Sequence, residues 1–343
     1  MWFCAKTYFS SYPTYYMLIK HPRRTIILTS LLLALSLIIY SCRLMLIAPG
    51  PLLEQKILIF SKGTTVAKIV EKLSAEKIII RPRLMKFAIK ICKIFYPLKA
   101  GEYSFTTGIS ASQIIKMMIQ GKSLVHKLIL PEGLTSKQII DKINSEDALL
   151  GNKITSFKEG YLLPDTYFFS YGDHKEKLIN IMHQKMNIIL DQAWEKRDPT
   201  LPITNKEDAL ILASIIEKET GSTSERSRIA GIFINRLKKN MPLQADPTVI
   251  YSVTLGQYDF TRAISKADLK MNSEYNTYLK TGLPPTPICN PGKAAIEATM
   301  HPSKSNELFF VVDINGGHKF ATNLNDHNQN VNDYRKNLPT PAK

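Results

Sequence analysis

The sequence has few of the residues that build metal centres and disulfide frameworks. It contains four cysteines among 343 residues, and no two stand at the spacing of a zinc site, a redox motif or a disulfide-stapled domain. The histidines of the C-terminal part are also too far apart to form a metal-ligand motif, and we interpret three of them as structural: His301, His318 and His327. The sequence therefore predicts neither a metal site nor a disulfide framework.

Acidic residues are also scarce. The chain has 45 lysines and arginines and 29 aspartates and glutamates, which gives a formal net charge of +16. A charge of this size suits a polyanionic partner such as nucleic acid, anionic lipid or an acidic polymer. The basic residues are scattered, however, and Lys, Ile and Asn are frequent throughout, as in a lysine-rich proteome. We therefore predict no binding to nucleic acid.

One long apolar run stands near the N-terminus. Residues 25–42 are uncharged and strongly apolar, and residues 44–47 extend the run past Arg43. About 20 residues cross the hydrocarbon core of a bilayer, and an arginine near the end of such a helix can reach the interface. We predict a transmembrane anchor over residues 25–47.

The charges beside this run predict its orientation. Lys20, Arg23 and Arg24 stand immediately before it, and such positive flanks stay in the cytoplasm. The run has no small-residue cleavage site, so we favour an uncleaved anchor over a signal peptide. Ile39–Cys42 bears a faint similarity to a lipoprotein cleavage box, and that alternative stays open. Everything after Pro49 is predicted to be exported.

The predicted fold class is α+β, with an N-terminal transmembrane helix followed by two regions. Residues 1–24 are predicted to be the cytoplasmic N-terminus. Residues 50–130 carry short strand and helix patterns, and they hold neither a carboxylate pair nor a His/Cys cluster. We expect this small α+β module to bind a ligand or to position the rest of the protein, and not to carry out catalysis. Residues 131–343 have longer amphipathic patterns and form the larger mixed domain.

An apolar helix that ends in acidic residues lies inside the larger domain. In this helix Leu210, Ala213 and Glu217 recur at spacings of three and four, so they share one face. A carboxylate on an inward face resists ionisation, which raises its pKa, and a raised pKa is what a proton donor near neutral pH needs. This helix alone leaves an alternative open, in which Glu217 is solvated at a frayed end or paired with an arginine.

Seven short motifs occur along the chain in this order: Glu159–Tyr167, Ala213–Thr220, Phe233–Leu237, Asp246–Tyr251, Tyr275–Tyr278, Gly282–Pro285 and His318–Phe320. Together with the anchor they resemble the YceG/MltG family, whose members are membrane-anchored endolytic murein transglycosylases of bacteria. The resemblance covers nearly the whole chain.

The resemblance implies an arrangement of domains and a catalytic residue. It places a LysM-like module at residues 50–130 and the catalytic domain at residues 131–343. The glutamate of the family motif Ala-Ser-Ile-x-Glu-Lys-Glu-Thr corresponds to Glu217. Two departures are expected to weaken contacts to the glycan without touching the acid. Leu163 stands where an aromatic residue is common, and Ala245 where a small hydroxyl residue is common.

The resemblance also implies a reaction without metal or cofactor. Glu217 would protonate the glycosidic oxygen between N-acetylmuramic acid and N-acetylglucosamine, and the C6 hydroxyl of the same sugar would then attack, leaving a 1,6-anhydro end. Glu219 lies roughly 200° further around the helix, so we expect it to diverge from Glu217. The expected sugar-binding residues are Asp165, Asn235, Gln244, Asp246 and Tyr275.

Partners and location follow from the same resemblance. The expected partners are peptidoglycan glycan strands, the membrane and peptidoglycan synthases, and the expected role is to terminate the elongation of nascent strands. The catalytic domain is expected outside the cytoplasm, on the bacterial cytoplasmic (inner) membrane. Two alternatives stay open: a muramidase whose second carboxylate is Asp165 or Asp246, and a peptidoglycan-binding scaffold without activity. Asp246 precedes Pro247, so an extended or turn conformation is expected there.

The orientation can be tested with a reporter fused after Lys343. We expect the fusion to be active only outside the cytoplasm, because the positive cluster precedes the apolar run. The measurement compares the activity of an export-dependent reporter with that of a cytoplasm-dependent one. A fusion that is active in the cytoplasm would overturn the predicted topology.

Overall fold

The structure is a computed structural model that describes residues 22–222, 224–314 and 316–337, without the side chains of residues 22 and 92–95. Lys20 and most of the predicted cytoplasmic segment 1–24 lie outside the described residues. The chain divides into two compact units, the first ending at Leu124 and the second beginning at Val125.

In chain order the elements are α1 (Pro22–Ile47), β1 (Lys56–Phe60), α2 (Val66–Ala75), α3 (Pro82–Phe95), β2 (Gly101–Phe105), α4 (Ala111–Gln120), β3 (Val125–Ile129), α5 (Ser136–Asn144), β4 (Leu149–Leu150), β5 (Thr166–Ser170), β6 (Asp173–His174), α6 (Lys175–Glu195), α7 (Lys206–Glu219), α8 (Arg226–Lys238), α9 (Asp246–Thr254), α10 (Lys266–Leu269), α11 (Lys293–Met300), β7 (Phe309–Val312), β8 (His318–Ala321) and α12 (Leu324–Asn337). Helices and strands are mixed along the chain, which confirms the α+β prediction.

The predicted apolar run forms the helix α1. Its segment Arg23–Ile47 has a mean hydropathy of 2.2 and buries none of its side chains in the protein. Within the described residues it is the one helix that is long and apolar enough to cross a bilayer. These properties are those of a candidate membrane anchor.

The rest of the first unit is a small α+β structure. β1 and β2 pair antiparallel, with Lys56 opposite Phe105, and their inward side chains pack with α2, α3 and α4 around one hydrophobic core. Ser110 caps α4 through a capping box with Gln113. Gly121 ends the same helix with a φ of 72°, a left-handed conformation that favours glycine. Local signals thus fix where this helix begins and ends.

The strand β3 corrects the predicted end of the module. The sequence analysis placed residues 125–130 inside the module, but β3 pairs antiparallel with β5, and Val125 lies opposite Ser170. The strand therefore belongs to the second unit. Its periodicity predicted a strand correctly, but a single strand does not show which distant strand is its partner.

The second unit is built around α7. Every residue from Ala209 to Ile216 is buried, and α6, α8, α9 and α11 all contact this helix or its neighbours. Asn205 caps its start by accepting a hydrogen bond from the backbone N–H of Asp208. A helix that is apolar on all sides lies inside a core, so the C-terminal end of α7 delivers its acidic residues into the middle of the unit.

Two further elements shape the surroundings of that end. The strands β7 and β8 form an antiparallel hairpin, with Val312 opposite His318. Asp246 is the first residue of the helix α9 and is followed by Pro247, so the expected extended or turn conformation was wrong. Proline is accepted in the first turn of a helix, where its missing N–H removes no hydrogen bond.

Packing on α8 leaves no room at one glycine. A Cβ added at Gly231 would lie 2.4 Å from the carbonyl oxygen of Ser303. Replacing a mid-helix glycine by alanine ordinarily stabilises a helix by about 1 kcal/mol. Here we expect Gly231→Ala to destabilise the folded protein by about 1–3 kcal/mol, because the backbone at Ser303 must move to make room for the methyl group. The matched control is Gly221→Ala, where a Cβ meets nothing within 4 Å. Thermal unfolding midpoints measure both; a higher midpoint for Gly231→Ala would contradict the packing.

Candidate active site

The two glutamates at the end of α7 face different surroundings, as the helix geometry predicts. The Glu217 side chain is 5% exposed and lies 3.2 Å from an Nη atom of Arg226, which is itself buried. Its other carboxylate oxygen accepts a hydrogen bond of 2.8 Å from the backbone N–H of Gly292. Glu217 is therefore a paired carboxylate inside the protein.

This pairing decides how Glu217 can act. The pKa of Glu217 is raised overall: burial, the largest effect, and the charge of Glu132 raise it, while the Gly292 N–H, the Arg226 guanidinium and Lys218 lower it by less. Both hydrogen-bonding partners stabilise the ionised carboxylate, and a proton donor would have to give them up. The alternative that the helix alone left open, a glutamate paired with an arginine, is the arrangement that the structure has.

Glu219 lies on the wall of an open cleft of about 470 Å³. The cleft is bounded by the end of α7, the start of α9, the hairpin and the start of α12. Its polar lining residues are Glu219, Arg236, Gln244, Asp246, Tyr278, His318 and His327. The cleft thus brings an acid together with hydrogen-bonding groups from five separate parts of the chain.

The Glu219 carboxyl group keeps its proton near neutral pH. Burial, reinforced by the negative charge of Asp246, raises its pKa from 4.5 to about 8. Among the described residues no hydrogen bond to the carboxyl group opposes this shift; Arg236 alone lowers the pKa through its charge. A carboxylic acid that is neutral at pH 7 beside an open cleft can donate a proton to a bound substrate.

Arg236 comes close enough to influence Glu219, yet its hydrogen bonds go elsewhere. Its Nε atom donates to the carbonyl of Leu308 at 2.7 Å, and an Nη atom donates to the carbonyl of Leu243 at 2.6 Å. The guanidinium therefore ties α8 to the hairpin and to the loop before α9. Because the carbonyls hold it, it does not form an ion pair that would ionise Glu219.

The opposite wall carries Asp246 and Gln244. The Tyr278 hydroxyl donates a hydrogen bond of 2.6 Å to Asp246, which starts α9. Gln244 adopts a φ of 48°, which is unusual for a residue other than glycine, and its backbone N–H donates to the carbonyl of Thr277. Strained conformations of this kind concentrate at functional sites, so two of the predicted sugar-binding residues face the acid.

The remaining wall comes from the hairpin and α12. His318 pairs with Glu225 at 2.8 Å, which supports its structural interpretation. The His327 ring stacks on Phe309 with 5.2 Å between centroids. Burial and the charge of Arg236 lower the pKa of His327, so its ring is neutral at physiological pH and offers the cleft an apolar face with a polar edge.

The other predicted sugar-binding residues do not line this cleft. Asp165 pairs with Lys185 at 2.9 Å. The Asn235 amide donates to the carbonyls of Ser305 and Glu307, so it holds the chain ahead of the hairpin. The Tyr275 hydroxyl bonds that of Thr286 at 2.8 Å. These three side chains have polar partners within the protein, and their role as glycan ligands stays a prediction.

Sequence reasoning missed Glu219, Arg236 and Tyr278 as members of the cleft. The acid was passed over because one face of α7 was taken as inward, whereas every residue from Ala209 to Ile216 is buried. Its position just after this continuous buried stretch was the available signal, since such a stretch has no single inward face.

A buried acid with a raised pKa beside an open polar cleft is an arrangement that suits general-acid catalysis on a polar substrate. The YceG-like family model matches residues 58–333. An endolytic murein transglycosylase of Bacillus subtilis (strain 168) is 30% identical over 299 residues, covering 78% of this chain and 81% of that protein. An endolytic murein transglycosylase of Streptococcus pneumoniae serotype 2 is 27% identical over 315 residues, covering 79% of this chain and 56% of that protein.

A solved structure agrees with these relatives. The crystal structure of a YceG-like protein from Listeria monocytogenes, at 2.6 Å, superposes with a TM-score of 0.50 at 30% identity. The match covers 80% of this chain and 99% of that one. The chain belongs to the YceG-like family and is a lytic transglycosylase.

The raised pKa of Glu219 predicts a pH-dependent stability. Between pH 4.5 and about 8 the folded protein keeps a proton that the unfolded chain has released, so this group lowers stability as the pH rises through that window. Glu219→Gln removes the effect, and we expect it to stabilise the protein by up to about 5 kcal/mol above pH 8, at about 1.4 kcal/mol per pKa unit. Thermal unfolding at pH 5 and pH 9 measures the difference.

Glu217→Gln is the matched control for this measurement. It breaks a buried ion pair and leaves Arg226 less compensated, so it should lower stability at both pH values. A Glu219→Gln effect that is the same at pH 5 and pH 9 would show that Glu219 ionises normally.

Proposed function

We propose that this protein cleaves the bond between N-acetylmuramic acid and N-acetylglucosamine within murein strands, with Glu219 as the general acid. The observation that carries the assignment is the position of the Glu219 carboxyl group on the wall of the cleft, where burial raises its pKa to about 8 and no described residue forms a hydrogen bond or ion pair with it. The names of the relatives support murein as the substrate. The proposal replaces Glu217, because its ion pair with Arg226 stabilises the charged form.

In the proposed reaction one carboxyl group serves both half-reactions. Glu219 donates its proton to the glycosidic oxygen, and the bond from that oxygen to the anomeric carbon of N-acetylmuramic acid breaks. The C6 hydroxyl oxygen of the same sugar attacks the anomeric carbon and gives its proton to the Glu219 carboxylate. The product end is a 1,6-anhydro sugar, and Glu219 returns to its protonated form.

The residues around Glu219 have supporting roles in this proposal. Asp246 keeps the carboxyl group protonated before the reaction by its charge. Asp246, Gln244 and Tyr278 offer polar groups to the sugar hydroxyl and acetamido groups. The neutral His327 ring and Phe309 give an apolar surface for a sugar face.

A muramidase remains the second candidate, because a second carboxylate lies in the same cleft. Asp246 is near enough to Glu219 to raise its pKa, and a hydrolase needs a carboxylate that activates water or forms a glycosyl intermediate. Asp246 already accepts the Tyr278 hydroxyl, which favours a positioning role. The chemistry of the product end separates the two functions.

The helix α1 and the first unit suggest where the enzyme acts and how it holds its substrate. The helix α1 anchors the protein in the cytoplasmic membrane with the N-terminus in the cytoplasm, and the second unit acts outside it. The first unit acts as a LysM-like module that holds glycan strands. Cleavage of strands during their synthesis, beside peptidoglycan synthases, would terminate their elongation.

The catalytic assignment is tested with two glutamine variants. Glu219→Gln keeps size and hydrogen bonding but has no transferable proton, so we expect the rate of glycan cleavage to fall by about 10²- to 10⁴-fold, the usual contribution of general acid–base catalysis. Glu217→Gln should have a much smaller effect as long as the variant is folded. Mass spectrometry of fragments released from purified murein gives both the rate and the product end.

The outcomes are distinct. Wild-type fragments should carry 1,6-anhydro ends, and reducing ends would indicate a muramidase. Folded Glu219→Gln protein that cuts at the wild-type rate, or folded Glu217→Gln protein that alone is inactive, would sink the assignment of Glu219.

A further inference from the structure

The end of the helix α1 is packed against one corner of the first unit. A small cavity there is lined on one side by the end of the helix and on the other by the segment that leads into α3. Its lining includes Met45, Leu46, Ala48, Ile79, Ile80 and Leu84. The beginning of α3 and the end of α1 are therefore neighbours.

The chain that follows α1 fixes this arrangement. The backbone N–H of Gly50 donates to the carbonyl of Gly108 at 3.1 Å. A Cβ at Gly50 would lie 2.4 Å from the carbonyl oxygen of Ile109 and 2.9 Å from that of Ile78. Gly50 is three residues after the end of α1 at Ile47, at most about 11 Å of extended chain. This corner of the unit thus lies close to the end of the apolar helix.

The helix α3 presents an apolar stripe that the unit does not cover. Met85 and Ile89 face the core. Leu84, Phe87 and Ile91 follow one another at spacings of three and four, so they share a different face. The side chain of Phe87 is 64% exposed and that of Ile91 is 47% exposed. The stripe begins at Leu84, which contacts the cavity beside α1.

A basic stripe runs alongside it. Arg83, Lys86 and Lys90 have the same spacing one residue away, and all three are exposed. The sequence from 77 to 101 contains seven lysines and arginines and no acid. Within the part of the chain that the structure describes, none of these three side chains belongs to an ion pair. Their charges therefore face outward without compensation.

We propose that α3 lies on the surface of the bilayer that α1 crosses and binds its anionic phospholipid headgroups. The proposal rests on the proposed membrane anchoring of α1. An amphipathic helix with a basic face and exposed aromatic or aliphatic residues lies in the plane of the interface, and lysines and arginines near an anionic surface strengthen that contact. The stripe of Leu84, Phe87 and Ile91 enters the boundary between headgroups and acyl chains.

Two observations favour lipid over murein as the partner of this surface. The stripe begins beside the end of the apolar helix, so the bilayer is the nearest partner. The apolar and basic stripes also run in parallel along the helix, as an interface between hydrocarbon and anionic headgroups requires. The contact would fix the orientation of the first unit on the membrane.

The test uses the full-length protein in proteoliposomes that contain bromine-labelled lipids, which quench nearby tryptophan. We expect Phe87→Trp to add fluorescence that is strongly quenched in phosphatidylglycerol vesicles, and less quenched in phosphatidylcholine vesicles or at high salt. The parent protein gives the baseline from its two tryptophans. Ile57→Trp is the control, an apolar site on β1 that is 50% exposed and should be quenched little.

Charge removal tests the basic stripe. Lys86→Gln with Lys90→Gln should abolish most of the Phe87→Trp quenching in phosphatidylglycerol vesicles. Lys62→Gln with Lys68→Gln removes the same charge from exposed positions in the same unit, and it should leave the quenching unchanged. Equal quenching at positions 57 and 87, or equal effects of the two charge pairs, would overturn the proposal.

Three further measurements separate this surface from the proposed function. If alkaline carbonate releases the full-length protein from vesicles, both the anchor and the surface are refuted. If the protein stays inserted but Phe87→Trp is not quenched, the surface alone is refuted. A Lys86→Gln and Lys90→Gln variant that loses murein binding while its quenching is unchanged would assign the stripe to glycan instead. Glycan cleavage should stay unchanged in the charge variants, so a failed cleavage assay bears only on Glu219.

Discussion

The structure of the second unit depends on the burial of α7 from Ala209 to Ile216. Because every residue of this stretch is buried, the helix ends inside the unit, where the Glu217 and Glu219 side chains are largely shielded from water. Each of the two carboxyl groups must therefore either be paired with a positive charge or keep its proton. Glu217 lies 3.2 Å from Arg226, whereas burial raises the pKa of Glu219 to about 8. The end of one helix thus carries two acids two residues apart: Glu217, which is paired with Arg226, and Glu219, which is the proposed proton donor.

The two glutamates differ because Arg226 and Arg236 have different hydrogen-bond partners. Arg226 approaches Glu217 to 3.2 Å, whereas Arg236 uses its hydrogen bonds on the carbonyls of Leu243 and Leu308. If Arg236 turned to Glu219, the ion pair would stabilise the carboxylate and lower its pKa. The backbone around the cleft, by holding Arg236, preserves the proton that the proposed reaction transfers.

The neutral acid also has a cost in stability. A carboxyl group whose pKa is raised by burial opposes folding at every pH where the unfolded chain has ionised. Asp246 increases this cost while preparing the proton for transfer. A cleft that is less stable than its surroundings is a general property of catalytic sites, and here the two acids that cause it are identified.

Local patterns predicted much of the fold. The strand Gly101–Phe105 lies within residues 50–130, whose short strand and helix patterns predicted a small α+β module, and the divergence of Glu217 from Glu219 follows from helix geometry. Long-range relations were not predictable in this way. The partner of β3 is about 40 residues away in sequence, and the sequence near β3 does not encode it.

The predicted catalytic residue, Glu217, and the proposed one, Glu219, differ for another physical reason. The three- and four-residue spacing of Leu210, Ala213 and Glu217 was taken to mark an inward face, but periodicity identifies an inward face only when the other face is solvated. In α7 every residue from Ala209 to Ile216 is buried, so the pattern could not separate the two glutamates. Their difference lies in Arg226 and Asp246, which other helices bring to them.

The most direct test of this account is the titration of Glu219 itself. Carbon-13 NMR of protein labelled at glutamate carboxyl groups, with the Glu219 signal assigned by its loss in Glu219→Gln, would follow ionisation without substrate. The account predicts a midpoint near 8 for this signal. A midpoint near the ordinary value of 4.5 would contradict it, because Glu219 would then be a carboxylate at neutral pH with no proton to donate.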